Sequence, residues 1–224
     1  MAKSIFSTDT GFARFVNKVG EIILLSILWM VCCIPIITIG ASTTAAYYTA
    51  AKVLRHNEGY ECRMFFKSFK LNFRQSIGMT ILLLVLAGLL FFNLIYIKGQ
   101  SSEMDFYLRV VYIGIGLLVL AEYLYAYPIL SRFNLKGGRI LIMSLQILFR
   151  NFLTTAAMIA VIVLVIIGIV YGLIYWGGYF LPFVFFIFPG LMMYLATFPM
   201  EKVLRKYMPK VAEDSEEADS WYYS

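Results

Sequence analysis

Chemistry in this chain of 224 residues rests on very few side chains. Glu122 is a lone carboxylate inside the apolar run Phe106 to Leu130, about eight residues or ~12 Å from the run's basic end at 1.5 Å per residue. An ionisable group at that depth has to face protein or water, and two roles stay open for it. It either ties helices together, paired with Lys52 or Arg55 and hydrogen-bonded by Tyr123, Tyr125 and Tyr127, or it carries a proton or cation during transport. His56 is the only histidine, and Cys32, Cys33 and Cys62 lack a CxxC spacing or a histidine partner. That argues against a metal site and a Cys-His nucleophile. No Gly-rich phosphate loop, HExxH or GxSxG occurs either, so the expectation is no enzyme, no cofactor and no metal.

The elements that position these residues follow from composition. With 61% hydrophobic and 14% charged residues, the chain lies far from the balance of a soluble domain. Its apolar residues fall in blocks at Glu21 to Ile39, Ile77 to Ile97, Phe106 to Leu130, Leu153 to Tyr175 and Phe180 to Pro199. Each approaches or exceeds the roughly 18 to 20 residues that cross a hydrocarbon core of ~30 Å. The segment Met1 to Lys18 carries Lys3, Arg14 and Lys18 like the leading region of a signal peptide, but the apolar run after it is too long and further spans follow.

The first block is interrupted. Pro35 removes a backbone donor and disfavours helix at Ile34, and Gly40 allows a sharp turn. A straight helix from Lys18 to Arg55 would be roughly 55 Å long, so two short helices, Glu21 to Ile34 and Ala41 to Leu54, fit better as a hairpin. Small side chains from Gly40 to Ala46 let backbones approach, which is how helices associate in lipid.

Between the hairpin and the next block, Arg63, Lys67, Lys70 and Arg74 recur at intervals of 4, 3 and 4, with Cys62, Phe66, Phe69 and Phe73 one residue earlier. The two stripes share one helix about 100° apart, a pattern for an elbow on the membrane surface whose cations reach anionic headgroups while Phe enters the acyl boundary. Basic and aromatic interleaving also occurs in nucleic-acid binders, but its place between spans argues for lipid. A second elbow, Arg139 to Phe152, repeats the spacing in Arg139, Met143, Gln146 and Arg150, and Asn151-Phe152 echoes Asn72-Phe73. Lys52-Val53-Leu54-Arg55 is echoed by Lys202-Val203-Leu204-Arg205. With both termini cytoplasmic and six crossings, all Lys and Arg except Lys98 and Arg109 lie inside, seventeen of nineteen, as the positive-inside rule prefers.

The stretch Trp29, Cys-Cys-Ile-Pro-Ile-Ile-Thr-Ile-Gly-Ala-Ser-Thr-Thr-Ala, Tyr47-Tyr48 and Phe65-Phe66-Lys67-Ser68-Phe69-Lys70-Leu71-Asn72-Phe73-Arg74-Gln75 resembles the YesL family of bacterial integral membrane proteins. The resemblance is specific over Trp29 to Gln75 and looser through to Glu201-Lys202-Val203-Leu204-Arg205-Lys206-Tyr207-Met208-Pro209. Its members are associated with carbohydrate-uptake systems, so the resemblance implies an accessory membrane protein.

Together these readings predict an all-α, polytopic transmembrane bundle: a broken first helix hairpin, four full spans and two amphipathic cytoplasmic elbow helices. Residues 1–212 form a single integral membrane domain in the plasma membrane. Residues 213–224, with five acids between Glu213 and Asp219, form an acidic, disordered tail. The expected partners are anionic headgroups, subunits of a sugar-uptake system and a further copy of the chain, with no nucleic acid. Two functions remain open. One is an accessory or regulatory partner of such a system; the other is a small secondary transporter using Glu122, which the broken first helix and internal echoes would serve.

Overall fold

The computed structural model describes residues 11–54, 60–97, 103–133, 135 and 137–207. All regular structure among them is helical: α1 (Gly11–Cys33), α2 (Ile39–Thr49), α3 (Glu61–Ile97), α4 (Glu103–Arg132), α5 (Gly137–Arg150), α6 (Phe152–Trp176), α7 (Leu181–Phe186) and α8 (Phe188–Leu204). Arg55, His56, Lys98, Ser102 and the acidic segment 213–224 lie outside the described residues.

Four stretches, Val16–Cys33, Glu61–Ile95, Phe106–Arg132 and Phe152–Phe186, are long and apolar enough to cross a membrane. In the last of them no residue of the most apolar 18-residue window is buried. Leu164, Ile167 and Ile174 stand exposed along α6, the arrangement of a helix whose solvent is hydrocarbon. The chain is a helical membrane protein.

The short helix α2 is the hub. Every residue from Gly40 to Thr49 is buried, and α1, α3, α4 and α8 all pack against it. Its sequence explains this: Gly, Ala, Ser and Thr allow close approach on every side, and lipid gives no hydrophobic reward for larger residues. The break before α2 falls where expected. Pro35 is extended (φ −77°, ψ 119°), and a 3-10 turn at Ile36–Thr38 leads into α2. The Thr38 hydroxyl donates to the Cys32 and Pro35 carbonyls, both at 2.6 Å, satisfying acceptors that the broken helix leaves over.

Gly40 does not make the turn. It lies inside α2, where any β-carbon would collide with Thr80 and the Tyr127 ring. Its function is contact between helices, not backbone freedom. Gly190 is the counterpart where α8 crosses α1: a β-carbon there would strike the Ile22 carbonyl. The Gly190 amide donates to Ser26 Oγ at 2.8 Å, and Ser26 donates to Ile22 O at 3.0 Å.

The first elbow is not a separate helix. Residues Glu61–Ile97 form one helix of 37 residues, roughly 55 Å long. No proline separates Arg74 from Ile77, and the single Gly78 costs only ~1 kcal/mol. A buried stripe, Phe65, Ser68, Asn72, Ser76, Thr80 and Leu83, runs through both halves at 3-and-4 intervals. Its polar members serve the helix's own carbonyls: Asn72 Nδ2 to Ser68 O at 3.0 Å, Ser76 Oγ to Asn72 O and Thr80 Oγ1 to Ser76 O, both at 2.7 Å.

The second elbow is a helix of its own, α5. The two Asn-Phe pairs therefore differ: Asn72 stays helical, whereas Asn151 (φ −119°, ψ 40°) ends α5. Asn151 Nδ2 bonds Ile147 O at 3.0 Å and Tyr207 Oη at 3.2 Å, fixing the break to the end of the last helix. The final apolar block is also divided. Gly177 (φ 56°) closes α6, Phe180 folds back onto Gly172, and Ile187 separates α7 from α8.

Candidate functional site

Inside the bundle, the polar side chains of neighbouring helices meet around α2. Thr43 Oγ1 accepts from Trp29 Nε1 of α1 at 3.3 Å and pairs with Tyr123 Oη of α4 at 3.1 Å. Tyr127 Oη of α4 pairs with Thr80 Oγ1 of α3 at 2.9 Å. Tyr125 Oη, also on α4, pairs with Thr155 Oγ1 of α6 at 2.9 Å. Tyr123 and Tyr127, four residues apart, share a face of α4 with their rings 4.9 Å apart and reach α2 and α3, while Tyr125 between them points away to α6, as 100° per residue requires.

A buried ion pair completes the seam. Arg132, at the end of α4, brings Nε and Nη2 each to 3.0 Å from Glu201 Oε1 of α8. Tyr47 Oη of α2 donates to the same oxygen at 2.9 Å. Three helices converge on one carboxylate oxygen, and both charged side chains are at least 87% buried. Charge-assisted bonds of this kind are the strong ones, and removing one partner from a buried pair typically costs about 3–5 kcal/mol.

Glu122 is buried as anticipated, with 6% of its surface exposed, but its partner differs from the expected ones. Oε1 accepts a hydrogen bond from Ser144 Oγ of α5, and Oε2 is buried with no hydrogen-bond partner. The tyrosines flanking it bond threonines instead. Arg132 is the cation placed against Glu201. Glu122 and Glu201 belong to different ties, on α4 and α8.

The basic residues of the first elbow lie on the surface of α3: Arg63, Lys70 and Arg74 are exposed and Lys67 is half-buried. Phe66 and Phe73 are exposed beside them, while Phe69 packs against the core. On α5 three faces separate. Ile140, Ser144, Ile147 and Leu148 are buried; Ile142, Leu145 and Phe149 form an exposed apolar face; Arg139, Gln146 and Arg150 form an exposed polar one. One buried, one exposed apolar and one exposed polar face is the pattern expected of a helix at a membrane boundary.

The arrangement holds helices together, with Glu122 Oε2 a buried carboxylate oxygen that has no hydrogen-bond partner. No group of three or more His, Cys, Asp or Glu that could bind a metal occurs among the described residues. Arg132, Glu201 and Tyr47 were not singled out in the sequence as a site. The signal was an acid directly before Lys202-Val203-Leu204-Arg205, at the last turn of an apolar helix, where an unpaired carboxylate would be costly.

The model of a family described as "Protein of unknown function, DUF624" matches residues 22–94, which run from α1 through the break and α2 to near the end of α3. No curated protein and no solved structure matches the chain.

Proposed function

We propose that this protein is an accessory or regulatory membrane protein that partners a carbohydrate-uptake system, and that Glu122 is a tie between helices. The observation carrying the reading is how the buried polar groups are used: Thr43, Tyr47, Thr80, Tyr123, Tyr125, Tyr127 and Ser144 all bond across helices. A translocation path needs polar groups facing a water-filled route, whereas these face one another. The association with sugar uptake comes from the YesL resemblance, and the family match over the same stretch supports that resemblance without assigning an activity. In this reading the protein sits in the plasma membrane with six crossings and both termini cytoplasmic, the arrangement that puts its cations inside.

A second reading keeps one specific observation in its favour. Glu122 Oε2 has no hydrogen-bond partner, as a carboxylate that takes up and releases a proton would require, so a small secondary transporter is the alternative. Purification from mild detergent followed by mass spectrometry separates the two. Stoichiometric co-purification of uptake-system subunits supports the accessory role; solute flux in proteoliposomes holding this chain alone supports the transporter.

A further inference from the structure

We infer that the seam between α3 and α4 is a binding site for one acyl chain of an anionic phospholipid, with Arg109 holding the headgroup. Two contiguous apolar hollows of about 310 Å³ and about 220 Å³ share Ala87, Gly116 and Val119 as walls. The deeper one ends against Thr80, Tyr123 and Tyr127, the shallower against Leu94 and Tyr112. From Thr80 to Leu94 the furrow runs ~21 Å along α3, enough for an extended chain to cross one leaflet, about half of the ~30 Å hydrocarbon core. Spread over that length, the volumes give a cross-section of about 25 Å², far narrower than an α-helix about 10 Å in diameter. A single hydrocarbon chain fits such a furrow, and a helix from a second copy does not.

The charge comes from the register of α4. Arg109, Tyr112, Gly116, Val119 and Tyr123 follow at intervals of 3, 4, 3 and 4, so they share one face, and all five are half-buried where their neighbours are largely exposed. Arg109 therefore stands one turn beyond the Tyr112 end of the furrow. Its planar guanidinium suits a phosphate, and the furrow beyond it is lined mainly by Leu, Ala, Val, Ile and Gly, with Thr80 and the tyrosines at its ends. At Gly116 the furrow has open space: a β-carbon there would meet nothing within 4 Å.

The test is native mass spectrometry of the full chain, equilibrated in mild detergent with equal phosphatidylglycerol and phosphatidylcholine. The wild type should retain one phosphatidylglycerol in preference to phosphatidylcholine. Gly116→Leu, which fills the furrow, should lower retention about tenfold, equivalent to ~1.4 kcal/mol of lost packing. Gly114→Leu adds the same volume at an exposed position of α4 that does not line the furrow and should leave retention unchanged. Arg109→Gln should keep a lipid but abolish the preference for the anionic one. A phosphatidylglycerol carrying a diazirine on its chain should label the Ala87 to Leu94 segment in the wild type, a readout independent of how Gly116→Leu folds. Equal retention of both lipids by the wild type, equal retention by Gly116→Leu and Gly114→Leu, labelling elsewhere, or a dimer that disappears in Gly116→Leu would each overturn the assignment.

Discussion

Arg132 and Glu201 are 69 residues apart in the chain and meet at a single oxygen, through a hydrogen bond from Nε and an ion-pair contact from Nη2, each 3.0 Å long. The pair ties the end of α4 to α8, and Tyr47 adds α2. Truncating one partner leaves the other charged and buried. Glu201→Ala or Arg132→Ala should therefore lower stability by about 3–5 kcal/mol, whereas an apolar pair such as Arg132→Met with Glu201→Leu should recover most of the loss. Thermal unfolding in detergent checks this; equal losses in the single and double variants would deny the pair its role.

Gly40 gives a sharper steric prediction. Alanine there meets Thr80 and Tyr127, so Gly40→Ala should destabilise by about 1–3 kcal/mol through overpacking. Gly88→Ala, on an exposed face of α3 with open space around it, should be neutral or slightly stabilising. Comparison of the two midpoints in one detergent decides.

Much of the architecture was legible in one dimension. The apolar blocks gave the long helices, Pro35 gave the break, and the period of Arg139, Met143, Gln146 and Arg150 gave α5 as a distinct amphipathic helix. What failed to appear depended on which helices become neighbours. Hydropathy marks Arg63–Arg74 and Ile77–Ile97 as different solvents, yet it does not say whether the backbone breaks between them. The buried Ser68, Asn72 and Ser76 carry α3 straight through. Gly40 looked like a turn residue because Pro35 is near; only the approach of Thr80 and Tyr127 reveals why a side chain is excluded. The residue types around Glu122 point to cations and tyrosines as its partners, while the actual donor, Ser144, lies on the buried face of α5.

The cations of α3 should add a preference for anionic lipid at their own surface, separate from the single lipid held at Arg109. Replacing Arg63, Lys67, Lys70 and Arg74 together by Gln should weaken association with anionic headgroups, each cation near the surface contributing about 1 kcal/mol. Lipid retention in nanodiscs of mixed composition measures it. Unchanged preference would remove the headgroup role from this face.

The distribution of Lys and Arg predicts an orientation with both termini cytoplasmic. Cysteines placed at Ser4 and Ser224 should resist a membrane-impermeant maleimide in intact cells, and one at Ser102 should react. Reaction at Ser4 alone would put the amino-terminal segment outside and require an odd number of crossings.

Glu122 offers the most direct test of the account, because the same substitution separates a tie from a coupling group. Glu122→Gln keeps the shape and the hydrogen bond from Ser144 but removes the ability to hold a charge. As a tie between α4 and α5, Gln at this position should leave thermal stability, partner co-purification and sugar-dependent growth unchanged, while Glu122→Leu, which removes the bond between the helices and leaves Ser144 donating only to the Ile140 and Leu141 carbonyls of its own helix, should lower the midpoint. A Glu122→Gln protein that folds normally and keeps its partners yet abolishes uptake would contradict the account and make the carboxylate part of a transport step.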